Sequence, residues 1–162
     1  MQVIQKQTLV YLDSEDRLQL VNQCGDGTVS VFWLTRRLAD RLVRALFHRL
    51  QQEGASLLDE TMPASGPGSL SPEPVQEVGD APHYLIQSID LSPLADGQQL
   101  VFHAPGCEAR FAMGMDPIRQ WLAVLHNLYL HATWDTVGVW PAGFDAAEPQ
   151  ADFQVPAGTV FH

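Results

Sequence analysis

Little in this chain announces a class. No run of apolar residues approaches the eighteen or so of a membrane-spanning helix. Met1 to Lys6 does not lead into the apolar stretch of a secretory signal. The expectation is a cytoplasmic protein with no membrane contact. Only two cysteines are present, Cys24 and Cys107, too few for a disulfide framework or a cysteine-built zinc site, so both read as reduced thiols. Positive charge is also scarce: nine Lys and Arg stand against nineteen Asp and Glu, a net charge of -10. A chain so acidic is repelled by phosphate backbones, which makes nucleic acid an unlikely partner.

Catalytic signatures are missing too. There is no Cys-x-x-Cys, no His-Glu-x-x-His, no Gly-x-Ser-x-Gly elbow and no phosphate loop; Gly66-Pro67-Gly68-Ser69 lacks the lysine such a loop needs. Asp13, Glu15 and Asp16 are too few ligands for a calcium loop, without its central glycine and terminal Glu, and read as a hairpin turn. His126 and His131 are five apart on a helix and point in different directions, so they do not grip one metal. The expectation is a protein without cofactor or metal, and without catalysis.

What is present is a globular composition. The 162 residues are 46% hydrophobic and 17% charged, which suits one compact domain with a real core. Residues 1–52 read as three strands and a helix: Thr8–Leu12, Arg17–Val21 and Val29–Trp33, then an apolar stripe of Leu34, Leu38, Leu42, Ala45 and Leu46 at helical spacing. Residues 53–82, rich in Pro, Gly and acid, read as a flexible linker or loop. Residues 83–133 repeat the order, with strands at His83–Asp90, Gln99–His103 and Glu108–Ala112 and a helix opened by Asp116-Pro117, with Asp116 as its cap. Sliding the first unit by 79 positions sets Phe32 on Phe111, Leu42 on Trp121 and Leu46 on Leu125.

Two βββα units predict an α+β fold: an antiparallel sheet of about six strands with two helices packed on one face. Val31, Phe32 and Trp33 are consecutive and apolar, so the second face needs covering as well. Residues 134–162, with Trp134, Trp140, Phe144, Phe153 and Phe161, are expected to cover it as an irregular wrap or an added edge strand; a second copy in a homodimer is the other way.

One local pattern stands out. Seven of the nine basic residues fall within residues 1–50, and Arg37, Arg41, Arg44 and His48 recur at i, i+4, i+7 and i+11 on the first helix. That spacing sets them within about 60° of arc, opposite the apolar stripe. Arginine grips carboxylates with paired hydrogen bonds, so the stripe predicts a surface for an acidic protein partner. The leading reading is therefore a small protein-binding or adaptor module. The alternative is a small-ligand binder or enzyme with a pocket between the sheet and the C-terminal segment, lined by His103, Cys107, Trp134 and Trp140.

Overall fold

Alternating apolar and polar residues, broken by short turns, build β1 (Gln2–Leu12), β2 (Arg17–Cys24) and β3 (Val29–Leu34). Asp16 takes a positive φ of 47° in the first turn, and Gly27 takes 84° in the second, where the Asp26 carboxylate accepts bonds from the Thr28 amide and hydroxyl. Thr35 caps α1 (Arg36–Gln52) through a bond from the Leu38 amide to its hydroxyl. Then come β4 (His83–Leu85), β5 (Ser88–Leu94), β6 (Gly97–Ala104), β7 (Cys107–Gly114), α2 (Met115–His131) and β8 (Thr159–Phe161). The computed structural model describes residues 1–52, 74–142 and 144 and the backbone of 159–161. Most of the expected linker and of the C-terminal wrap, including Leu57, Leu58, Met62 and Phe153, lies outside the described residues.

The fold is α+β, with two helices and one curled sheet ordered β4-β3-β2-β1-β7-β6-β5; β8 pairs with β1 off this path. The sheet is mixed, with seven strands on its main path, where six antiparallel strands were expected. Two junctions are parallel: Gln2–Ile4 of β1 with Ala109–Phe111 of β7, and Val31–Trp33 of β3 with His83–Leu85 of β4. Each joins the first strand of one half to the third strand of the other. The stretch read as one strand over 83–90 is split in two, because its beginning pairs with β3 and its continuation with β6. The Ile86 amide still donates to the Trp33 carbonyl, whereas the Gln87 amide donates to His103. The two ends of the sheet order thus meet at Ile86–Gln87, and the sheet curls back on itself.

Register relates the halves. Leu9, Leu20, Phe32 and Tyr84 form one cross-strand rung, and Leu91, Leu100, Phe111 and Ile4 form its counterpart. The helices repeat at the same offset of 79: Ala39, Leu42, Val43, Leu46, Phe47 and Leu50 are buried in α1, and Ile118, Trp121, Leu122, Leu125, His126 and Tyr129 in α2. Both stripes belong to one continuous apolar core with the rung residues. Burying such side chains is the main stabilising contribution, about 1.5–3 kcal/mol for each large aliphatic or aromatic one.

Two local expectations change. Asp116 does not cap α2; Gly114 is the N-cap residue, and Asp116 instead accepts a bond from Arg119 at 3.3 Å. In the described part of the C-terminal segment, Trp134, Val139 and Trp140 join the helix-side core, and Thr159–Phe161 adds a strand to β1. On the second face, Thr8, Val21 and Val31 are buried. The segment before β4 reaches this face, with the Val75 amide donating to the Thr8 hydroxyl at 2.9 Å and Gln19 donating to the Glu77 carboxylate at 2.8 Å.

Candidate functional site

Arg37, Arg41, Arg44 and His48 are all exposed on α1, opposite its buried stripe. They are not equivalent. Arg44 donates through Nε to the Gly138 carbonyl at 3.1 Å, which ties α1 to the turn after α2. Arg36, just outside the stripe, sits 5.8 Å from the Trp134 ring centre and 4.0 Å from the Asp40 carboxylate. Arg37 and Arg41 have no hydrogen-bonding or ion-pair partner among the described residues.

These two arginines border a cleft of about 310 Å³, lined also by Thr35, Leu38, Ile86 and Gln87. It lies where the first turns of α1 face the passage from β4 to β5. The first turn of α1 contains no acidic residue. Arg37, in that first turn, opposes the helix dipole, at a cost of about 0.3–1 kcal/mol; Arg41 follows one turn later on the same face. In α2 the positions matching Arg37 and Arg41 hold Asp116 and Gln120, so the arginines are a property of this end of the molecule. An anion bound here would be attracted by both guanidinium groups and by the helix dipole together.

The spacing of the arginines was enough to place the stripe. Ile86 and Gln87 were hidden because they read as the middle of one strand. Leu38 was assigned to the buried arc, yet it is only partly buried and forms part of the cleft lining.

The four residues of the pocket reading are dispersed. His103 faces outward on β6, held between Asp90 at 2.9 Å and Glu108 at 3.2 Å. Cys107 pairs with Ala104 across the hairpin and so points to the opposite face, toward the core. Burial pushes the Cys107 thiol above its ordinary pKa, away from a reactive thiolate. Trp134 donates its indole N–H to Asp16 at 2.8 Å and packs edge-on against Tyr11 and Tyr129. Trp140 is enclosed by Phe47, His126, Tyr129 and Phe144. Neither the basic cleft nor a second one of about 370 Å³, lined by Leu94, Ala95, Asp96, Gly97 and Met115, includes any of the four.

Among the described residues no group of three His, Cys, Asp or Glu side chains is arranged to hold a metal ion. None of the described helices is long and apolar enough to cross a membrane. No family model, curated protein or solved structure matches this chain.

Proposed function

We propose that the protein is a binding module that engages an acidic protein partner through the cleft bordered by Arg37 and Arg41. The observation that carries this reading is the pair itself: two exposed arginines with no partner among the described residues, on the first two turns of a helix, beside a cleft lined by Leu38 and Ile86. Exposed charge set against a helix dipole does nothing for the fold. A carboxylate ligand gives it a purpose, because charge-assisted bonds to arginine are about twice as strong as neutral ones. Arg44 and His48 extend the positive surface along α1, with Arg44 also holding the Gly138 turn.

Titration calorimetry with a poly-glutamate fragment tests this. Binding should be saturable, weaken as salt is raised and fall at least about tenfold in the Arg37→Glu, Arg41→Glu variant, while the melting temperature stays within a few degrees of the wild type. Equal binding by wild type and variant would remove the cleft from the account.

A further inference from the structure

The two halves treat one sheet edge differently. β1 pairs with β7 only through Ile4; beyond that point its freed edge at Gln7–Leu9 is taken by β8, which runs antiparallel to it and also lies against α2. The other half has the same construction. β4 pairs with β3 only through Leu85, and the chain then continues as β5. Because Leu9 and Leu91 hold matching places in their rungs, Gln7–Leu9 corresponds to Ile89–Leu91. Among the described residues that second edge has no strand on it: β5 pairs with β6 alone. Ser88, Asp90, Ser92, Pro93 and Leu94 are exposed. The basic cleft opens just before this edge, where Ile86 and Gln87 lead into β5 beside Thr35, Leu38 and the two arginines of α1; in the other half β8 lies against both β1 and α2.

We infer that the free edge of β5 and the Arg37/Arg41 cleft form one site, which takes an extended acidic segment of a partner protein as an added strand. This rests on the binding reading above and specifies its mode. A bare strand edge supplies a row of backbone donors and acceptors, and side chains at alternate positions of the added strand supply selectivity. Residues of the added strand that share the face of Ile89 and Leu91 point toward α1, where Arg37 and Arg41 favour carboxylates. Those on the opposite face meet Asp90, which disfavours acid there. The recognised segment therefore alternates acidic residues with neutral or basic ones. Pro93 has no N–H to donate, and proline within a strand is tolerated at a sheet edge. It blunts the hairpin end of β5 and leaves Ile89–Leu91 as the usable stretch.

The test uses the isotope-labelled full chain, titrated by NMR with a terminally blocked peptide of alternating glutamate and threonine. Two further peptides are N-methylated, one at every glutamate and one at every threonine; each loses the N–H groups along one edge with charge unchanged. The expected result is movement and slowed exchange of the Ile89–Leu91 amides. One methylated peptide should bind at least about tenfold more weakly and the other as the parent does, with the parent's binding lost in the Arg37→Glu, Arg41→Glu variant. Equal binding by all three peptides, still abolished by the charge reversal, would overturn strand addition and leave the acidic-partner reading standing. No saturable binding of any peptide would overturn both. Concentration-dependent movement of the same amides without peptide would assign the edge to a second copy and overturn the proposed occupant.

Discussion

Phe47 on α1 and His126 on α2 occupy matching positions 79 residues apart and press on the same indole, that of Trp140, with ring centres 5.8 and 4.8 Å away. Phe144 touches both rings as well, at 5.6 and 4.9 Å. The segment after α2 thus inserts a wedge where equivalent points of the two helices converge, and it holds α1 in place relative to the sheet.

Trp140 is 5% exposed, and its indole N–H has no hydrogen-bond partner among the described residues, so packing is its contribution there. Trp140→Ala should destabilise the protein by about 3–5 kcal/mol in urea unfolding. A loss below about 1 kcal/mol would show that the helices are held without the wedge.

Gln7 is a buried polar link inside the core. Its amide donates to Asn22 at 2.8 Å and its carbonyl accepts the Trp121 indole N–H at 2.9 Å, while Asn22 donates to the Leu20 carbonyl. Gln7→Leu strips both neighbours of a partner and should cost about 2–5 kcal/mol in the same unfolding assay. Adding Asn22→Ala should cost less than the sum of the two single changes, because the groups act as one network.

The Trp134 indole N–H, followed by the Tyr11 hydroxyl, holds the Asp16 carboxyl below its usual pKa. A carboxyl lowered in the folded state adds stability above its unfolded value of about 4, and that addition disappears as pH falls through the folded value. The difference in melting temperature between wild type and Asp16→Asn should therefore be present at pH 6 and shrink below about pH 4. A difference that stays constant across that range would break the assignment.

The legible part of the fold was its local part. The two helices and the solvent-facing arginines follow from periodicity. Of the first stripe, Leu42 and Leu46 are buried as expected, whereas Leu38 and Ala45 are only partly buried and Leu34 closes β3; the stripe is completed instead by Ala39, Val43, Phe47 and Leu50. The parallel junctions depend on which strand of one half meets which strand of the other, and no local pattern encodes that. The strand over 83–90 looks uninterrupted because both of its parts are apolar; only its change of partner at Ile86 divides it. The beginning of β1 was missed for a related reason. The first strand was expected only from Thr8, and the glutamines before it carry no apolar pattern; Gln7 is satisfied in the core by Trp121, 114 positions away. Contacts as distant as Val75 to Thr8 are equally silent in the local sequence.

The central claim is that Arg37 and Arg41 meet another protein's acids. The most direct measurement is affinity capture from the source cell lysate with the wild type and with the Arg37→Glu, Arg41→Glu variant, the retained proteins being quantified by mass spectrometry. The account predicts a discrete acidic protein retained by the wild type, lost from the variant and released by raised salt. The same proteins retained in the same amounts by both would contradict it.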